Sequence, residues 1–360
     1  MTALPFSGPS KPTRITRSVH GELNGSPVHR YTLTNGQNWQ VDVSEYGGTL
    51  LRVQVPDRAG TLGNVCLCLP DLSSYIANTA YAGKTIGPVA NRMEGGAFEI
   101  EGQRIVIPPN EGEHVLHGGD DGLHQCLFSG EVIQGQEGDE LQLKHSRPGG
   151  VGGYPGGLDL TIRIRWGGDG TLSWVMEAEV DQMTPVNLTH HPYWNLSGDF
   201  QEEVTEHELQ VVSSSYAEVT EEGISTGQSI PSRLSPMDFR FRRTVGHALP
   251  LLEQGGYDHC LLLDRTGEGL FQAAHLLHGG SGRNMTLWTN QRALQFYTGQ
   301  GLSGDMITED GTELRPRAAL CLEPHEAPGA LHYPALGSMM VSPGEKYEHR
   351  ILYCFFVSPA

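Results

Sequence analysis

Two adjacent histidines, His190 and His191, stand in the segment NLTHHPYWNLSG (187–198), beside a tyrosine, a tryptophan and amide side chains. Because successive side chains of a strand point to opposite faces, only one of the two histidines can face a given cavity. A lone histidine more often has a structural role in the core. Among aromatic and amide side chains, however, an imidazole can act as a general acid near neutral pH. The segment therefore offers one candidate acid.

A carboxylate follows an apolar run in RAALCLEPHEAPGALHYP. The run from Ala318 to Leu322 predicts a buried strand, and Glu323 is expected at its end. A carboxylate at such a place is a candidate general base. Glu326 is the competing carboxylate, but its place in a proline-rich loop favours a solvated position. The sequence therefore favours Glu323 as the base.

The segment 90–119 contributes a second polar group. Asn91 and Arg92 stand near its start, and His117 precedes two glycines, in a turn where backbone can approach a ligand closely. A surface ion pair for Arg92 and a plain turn position for His117 are the simpler alternatives. His114 and His117 could share a metal ion, but two histidines without a carboxylate at ligand spacing indicate a metal site only weakly.

Two further strand-like segments carry polar residues. GGYDHCLLLD places Asp258 and His259 at the start of a strand, and ALQFYTGQG contains Gln295 and Tyr297. Amides, an arginine and carboxylates at strand ends, backed by aromatic rings, suit a neutral ligand with many hydroxyl groups. The sequence contains no phosphate-binding loop, dinucleotide fingerprint or nucleophile elbow.

Period-two alternation of apolar and polar residues predicts the elements that hold these side chains. Segments 158–166 and 171–180 alternate on either side of a Gly-Gly-Asp-Gly turn, which predicts a hairpin. Helical periodicity is confined to a turn near 71–79. We therefore predict an all-β fold, a large antiparallel β-sandwich, as a single domain over 15–360 behind a loose segment at 1–14. Similar alternation predicts strands at 31–35, 39–46, 49–56, 98–108, 207–219, 285–290 and 351–358.

Composition limits the partners of the chain. Its 360 residues carry a formal net charge of −18, which disfavours nucleic acid and anionic membrane surfaces. The N-terminal residues lack the apolar run of a signal peptide, so a cytoplasmic location is expected. The six cysteines are scattered and predict reduced core positions, with NVCLCLP (64–70) as a buried strand.

The order of these motifs resembles the aldose 1-epimerase (galactose mutarotase) family over nearly the whole chain. The resemblance rests on YTLTNGQNWQVDVSEYGGTL, KTIGPVANRMEGGAFEIEGQ, the LHGG turn, NLTHHPYWNLSG, STGQSIPSRLSPMDFR, GYDHCLLL, LQFYTGQG, LCLEPHEAPG and VSPGEKYEHRILYCFFV. It implies one large β-sandwich with an open sugar cleft. It also implies a sugar substrate, a monomer or homodimer, and no cofactor or metal. The second LHGG, which contains His278, lacks the context of the motif and is expected in a loop.

Roles follow from the resemblance motif by motif. Glu323 resembles the general base, which starts ionised, and His191 the general acid, which starts protonated. His117 resembles a second active-site histidine, placed near the ring oxygen. The residues that resemble those gripping sugar hydroxyls are Arg92, Asp258 and Gln295, with Asn91 beside them.

The sequence departs from the family pattern in five places, which leave the acid and the base present but the sugar preference open. These are His190, His325, Gly329, His332 and Pro88.

The sequence leaves two alternatives to an aldose 1-epimerase open. One is a hexose-phosphate epimerase, although the arginine cluster FRFRR at 239–243 is most simply a solvated strand. The other is a carbohydrate-binding or regulatory protein of the same fold without catalysis.

Overall fold

The computed structural model describes most of the chain, and nearly all of its regular structure is β-strand. The predicted loose segment 1–14 lies mostly outside the described residues, and the first strand already begins at Arg14. The described residues are 12–136, 138–252, 254–265, 267 and 269–359.

The strands are short and follow one another closely along the chain. Strands β1 to β14 are Arg14–Leu23, Ser26–Thr34, Gln40–Ser44, Thr49–Pro56, Leu62–Asn64, Thr85–Ile86, Arg92–Met93, Ala97–Ile100, Gln103–Val106, Val115–Leu116, Ser129–Ile133, Glu140–Arg147, Leu158–Trp166 and Thr171–Val180. Strands β15 to β28 are Thr184–Pro185, Thr189–His190, Tyr193–Trp194, Glu208–Val211, Ser213–Val219, Ser225–Pro231, Arg243–Thr244, Asp258–Leu263, Phe271–Leu277, Arg283–Thr289, Ala293–Tyr297, Leu320–His325, Met340–Val341 and Tyr347–Val357.

Helices are few among the described residues. The α-helix α1 spans Leu72–Ala77, near the predicted turn at 71–79, and the Asp71 side chain caps it by accepting a hydrogen bond from the Ser74 amide. Short 3₁₀ helices span Glu94–Gly96, Leu123–Gln125, Val151–Gly153, Val204–Glu206, Val245–Leu251 and Pro334–Leu336.

Three sheets dominate the architecture. A nine-stranded sheet has the order β11-β12-β13-β14-β28-β24-β23-β18-β21, and a six-stranded sheet has the order β17-β26-β25-β22-β19-β20. The third sheet contains β1 to β5 in chain order. Neighbouring strands run antiparallel, as in the central pairs β13–β14, β14–β28 and β25–β26. The predicted antiparallel β-sandwich is therefore confirmed.

The core lies between the inner faces of these sheets. The predicted hairpin is present as β13 and β14, which pair from Leu158–Val180 to Trp166–Leu172. Alternate residues of both strands are buried, and each large side chain buried in this way contributes roughly 1.5–3 kcal/mol. The buried residues are Leu158, Leu160, Ile162, Ile164, Trp166, Leu172, Trp174, Met176 and Ala178.

Four predicted strands differ from the structure. The segment 98–108 is not one strand, because β8 and β9 pair there as an antiparallel hairpin. Residues 65–69 of NVCLCLP are buried, but past Asn64 the segment forms only an isolated bridge from Cys66 to Trp194. The segment 207–219 is divided by the exposed Val212 into β18 and β19, which belong to different sheets. FRFRR is mostly loop, because its strand β21 begins only at Arg243.

The sequence disfavours anionic membrane surfaces as partners, and one structural observation concerns membranes. No helix in the described part of the chain is long and apolar enough to span a bilayer.

Candidate active site

A cavity of about 650 Å³ opens beside one end of the six-stranded sheet, and we call it the cleft. Its walls come from the segments 69–81, 91–92, 116–117 and 301–307, together with side chains of the sheet. The structure brings all seven predicted site residues to this cleft. They are Asn91, Arg92, His117, His191, Asp258, Gln295 and Glu323.

Strand β26 holds the carboxylate. Its apolar residues are buried, as the sequence predicted, and Glu323 is 3% exposed. Glu323 does not end the strand as expected, because β26 continues through Pro324 to His325. On β25, Gln295 pairs with Glu323, and on β17, Tyr193 pairs with Cys321. Because side chains two residues apart share a face of a strand, Cys321 and Glu323 point to the same side of the sheet.

The two adjacent histidines point in opposite directions. The His191 ring places Nε2 3.5 Å from Oε2 of Glu323 and Nδ1 3.5 Å from Sγ of Cys321. His190 faces the core, where its ring stacks on Trp174 at 4.1 Å between centroids. The prediction that only one of the pair faces the cavity is confirmed.

Two hydrogen bonds join His117 and Asn91, each donated by a backbone amide. The His117 amide donates to the Asn91 carbonyl at 3.2 Å, and the Asn91 amide donates to Nδ1 of His117 at 3.3 Å. Since Nδ1 accepts, the neutral imidazole carries its proton on Nε2. Both residues have positive φ, 53° for His117 and 64° for Asn91. Such backbone costs about 1–3 kcal/mol in a non-glycine residue and clusters at functional sites.

A chain of hydrogen bonds fixes the amides on the cleft wall. Nδ2 of Asn91 donates to Oε1 of Gln295 at 3.0 Å, and Nε2 of Gln295 donates to Oδ1 of Asp258 at 2.6 Å. Arg92 makes two hydrogen bonds to Glu111, at 2.6 and 2.9 Å, and its Nη1 lies 3.8 Å from Oδ2 of Asp258. Arg92 therefore lines the cleft and also forms an ion pair, which is the simpler role that the sequence left open for it.

Burial favours the uncharged forms of the three central groups. Desolvation, helped by the negative charge of Asp258, raises the pKa of Glu323 well above its ordinary value. Desolvation lowers the pKa of His191 to about 4. It also lowers the pKa of His117 well below the ordinary histidine value, with the neighbouring His191 ring adding to the effect. Burial thus favours a protonated Glu323 and a neutral His191 in the free protein, whereas the resemblance implied an ionised Glu323 and a protonated His191.

The same three side chains could in principle hold a metal ion, since His117, His191 and Glu323 each offer one ligand atom within 4.8 Å of the others. Histidine ligands of metals almost always donate their second ring N–H to a carboxylate, carbonyl or water. Here Nδ1 of His117 instead accepts from the Asn91 amide, and Nδ1 of His191 faces the Cys321 thiol. The surrounding groups thus suit proton carriers better than metal ligands.

Aromatic rings complete the cleft, and sequence reasoning did not assign them roles. Tyr81 has a φ of 57°, and its ring meets His117 edge-on at 4.7 Å between centroids. Tyr193 stacks on His191 at 5.1 Å, and Tyr297 lines the cleft beside it. A tyrosine preceding Ala-Gly gave no periodic signal that could have pointed to Tyr81.

Other polar candidates lie elsewhere. His259 accepts from the Asp258 amide, and His278 bonds with Ser281 in a turn, as expected of a loop residue. His114 lies 3.3 Å from Glu222 and is not part of the possible ligand group.

The expectation of a solvated Glu326 is wrong, because its side chain is only 17% exposed and lies 3.5 Å from Nε of Arg292. FRFRR also lies away from the cleft: Arg240 bonds to Asp238, and the Arg243 guanidinium covers the Phe239 ring.

The five departures from the family pattern do not line the cleft. His325 is buried and bonds through Nδ1 to the Glu326 carbonyl at 2.6 Å, and Gly329 has a φ of 84°. The cleft lining includes none of the five positions, which are Pro88, His190, His325, Gly329 and His332.

The chain is similar to known proteins over most of its length. The aldose 1-epimerase family profile matches residues 29–354. The galactose mutarotase of Sus scrofa is 32% identical over 346 residues, covering 96% of this chain and 99% of the relative. The aldose 1-epimerase of Escherichia coli K12 is 30% identical over 341 residues, covering 92% and 96%.

Solved structures show the same fold. The galactose 1-epimerase of Lactobacillus acidophilus superimposes with a TM-score of 0.84 at 24% identity, over 96% of this chain and 99% of that one. An aldose epimerase homologue from C. elegans gives 0.82 at 23% identity, over 89% and 96%. With the family profile spanning almost its whole length, the chain belongs to the aldose 1-epimerase family.

Proposed function

We propose that this protein is an aldose 1-epimerase, which interconverts the α and β anomers of a free aldohexose. The observation that carries the proposal is the pairing of a buried carboxylate with a buried imidazole, 3.5 Å apart, in a cleft with amide, guanidinium and carboxylate walls. Such a pair can take a proton from one sugar oxygen and give a proton to another. Family membership supports the same activity.

The reaction needs one proton moved in each direction. Glu323 as carboxylate takes the proton of the anomeric hydroxyl, while His191 gives its Nε2 proton to the ring oxygen as the C1–ring oxygen bond breaks. The aldehyde carbon then turns about the C1–C2 bond. On closure, His191 takes the proton of the attacking hydroxyl and Glu323 returns a proton to the carbonyl oxygen, so that both groups are restored. Each positioned acid or base typically contributes about 10²–10⁴-fold.

The free pair must first move its proton from Glu323 to His191. Hydrogen bonds donated to a carboxylate favour its ionised form, and sugar hydroxyls in the cleft supply such donors. The total number of protons on the pair does not change in this step. Sugar binding therefore prepares the reactive charge state without proton uptake from solvent.

The remaining residues bind the sugar. In this proposal His117, which lines the cleft, donates its Nε2–H to the ring oxygen or a neighbouring hydroxyl. Asp258, Gln295 and Arg92 are already oriented by bonds to one another or to Glu111, so little side-chain freedom is lost when hydroxyl groups replace water. Asn91 anchors this row through Gln295.

A hexose-phosphate epimerase fits less well. A phosphate dianion calls for several cationic donors. Arg92 is the single lysine or arginine among the described residues that line the cleft, and Glu111 already occupies two of its donors. A carbohydrate-binding protein without catalysis would have no need of a buried carboxylate beside a buried imidazole, two groups that are costly to desolvate.

We also propose a cytoplasmic location, a monomer or homodimer, and a single domain over 15–360. One folding unit is supported by the nine-stranded sheet, which joins strands from Ser129–Ile133 to Tyr347–Val357.

Polarimetry tests the activity directly. Freshly dissolved α-glucose, α-galactose and their 6-phosphates are followed with and without the protein, at equal buffer concentration. We expect faster approach to equilibrium rotation for at least one free sugar and little acceleration for the phosphates. Acceleration of the phosphates alone would favour the epimerase of hexose phosphates, and binding without acceleration would favour the non-catalytic alternative.

A further inference from the structure

The segment that leads to His191 is joined to the strand of Glu323 by side chains rather than by a regular ladder. On one side β26 pairs with β25 along its length, but on the other it pairs with β17 only at Cys321 and Leu320. Beyond that point the neighbouring chain is the segment 187–190. Its backbone is engaged elsewhere, since Thr189 and His190 pair with strand β6.

Pro324 meets the segment 187–190 on this side of β26. It stands directly after Glu323 and has no amide hydrogen, so it cannot donate to a neighbouring strand. Its carbonyl still needs a donor, because buried backbone acceptors are almost always paired. The Thr189 hydroxyl supplies that donor, with Oγ1 2.8 Å from the Pro324 oxygen. Thr189 itself is completely buried.

Asn187 makes the second connection. Its Oδ1 accepts from the Glu326 amide at 2.9 Å, and its Nδ2 donates to the Glu326 carbonyl at 3.3 Å. The side-chain amide of Asn187 thus makes the pair of hydrogen bonds to the Glu326 backbone that a neighbouring strand would otherwise make. Like Thr189, Asn187 is completely buried.

The backbone of Asn187 extends this connection to a third segment. Its amide donates to the Pro88 carbonyl at 2.7 Å, and its carbonyl accepts from the Ala90 amide at 2.7 Å. Asn91 follows immediately. One residue therefore links the three segments that carry Asn91, His191 and Glu323.

We propose that Asn187 and Thr189 are positioning residues that set the distance between His191 and Glu323 and keep Asn91 in register with them. Neither side chain lines the cleft, so each acts through the backbone that it holds. A misplacement of reacting groups by about 1 Å can cost 10²-fold in rate even when its cause lies away from the chemistry. The proposal rests on the proposed epimerase function for its kinetic readout.

Thr189→Val is the first test variant, because valine keeps the branched shape and removes the hydroxyl. We expect kcat for mutarotation to fall by about 10- to 100-fold with KM little changed. Thr189→Ser keeps the donor and should retain most of kcat. Asn187→Ala should behave like Thr189→Val, and if it fails to fold, the threonine pair still decides.

Two control variants lose similar bonds away from the cleft. The Asn195 side chain donates to the carbonyls of Asp199, Glu202 and Ala318, and the Ser213 hydroxyl lies 2.7 Å from the Ser215 and Leu262 carbonyl oxygens. Asn195→Ala and Ser213→Ala should lower the unfolding temperature but leave kcat unchanged. All variants are assayed below their unfolding transitions.

Two measurements separate positioning from general destabilisation. In a Glu323→Gln background, Thr189→Val should cost little further rate, since the group it positions is already gone. The nitrogen-15 NMR shifts of the His191 ring should change in Thr189→Val but not in Asn195→Ala, a result that does not depend on activity.

If the wild type shows no mutarotation, the proposed function fails while the NMR comparison still tests the placement of His191. Wild-type kcat in Thr189→Val, or equal kcat losses in that variant and the controls, would overturn the proposal.

Discussion

Nε2 of His191 lies 3.5 Å from Oε2 of Glu323, and burial favours the uncharged form of both side chains. With both side chains uncharged, the pair holds one proton, which is the number the reaction requires. A second proton must enter the pair at low pH, on His191. The single proton must leave at high pH, from Glu323.

The pH dependence follows from this assignment. We predict a bell-shaped profile of kcat/KM in which the acidic limb reports His191, with its pKa lowered to about 4, and the alkaline limb reports the raised pKa of Glu323. This order is the reverse of that expected for an ionised base and a protonated acid. Because the groups are close, the limbs belong to the pair. Initial rates in overlapping buffers, corrected for buffer catalysis, measure the profile. An acidic limb at the ordinary histidine value of 6.5 would contradict it.

Metal independence is the second prediction. Exhaustive chelation should leave the rate unchanged, because the Asn91 amide occupies the position to which Nδ1 of a metal-bound His117 would donate. The measurement is polarimetry before and after chelation, with metal content checked by elemental analysis. Loss of activity that zinc or manganese restores would show that His117, His191 and Glu323 act as ligands.

His190 should matter for stability more than for rate. His190→Asn removes the stacking on Trp174 and the contact of Nε2 with the Gly83 carbonyl at 3.1 Å. Changes that break buried contacts commonly cost about 0.5–3 kcal/mol. We predict a lower free energy of unfolding in urea, with kcat reduced far less than in His191→Asn. Equal losses of kcat at the two positions would contradict the opposite orientations of the rings.

Much of the fold could be predicted because alternation records which face of a strand is buried. Leu158 to Trp166 and Thr171 to Val180 pair as the pattern indicated. The division at Val212 was missed, because no glycine or proline in 207–219 marks a break, although the two halves enter different sheets. NVCLCLP has the apolar character of a strand but lacks a continuous neighbour to pair with.

For the site, the sequence could predict which residues take part but not how they contact one another. Residue types and motif order selected the seven polar residues that meet in the cleft, but not the contacts among them. The bond from Asn91 to Gln295 joins positions 204 residues apart, and no local pattern predicts it. The raised pKa of Glu323 could not be predicted either, because it depends on burial by distant segments rather than on its neighbours in sequence.

Catalysis by the pair should be strongly non-additive. Glu323→Gln and His191→Asn should each lower mutarotation by at least about 10²-fold. Their free-energy losses should fall well short of adding in the double variant, since one proton exchange needs both ends. Rates are obtained by polarimetry and sugar affinity by calorimetry. Simple addition of the two losses would indicate that the side chains act independently.

The central claim is that Glu323 is the base that accepts the anomeric proton. Its most direct test is the rate of mutarotation of freshly dissolved α-glucose or α-galactose by Glu323→Gln, with sugar affinity measured on the same preparation. The glutamine keeps the shape of the side chain and one acceptor, and Arg92, Asp258 and Gln295 remain to hold the hydroxyl groups. We predict a rate at least about 10²-fold lower with affinity changed much less. Near-wild-type mutarotation by this variant would contradict the account.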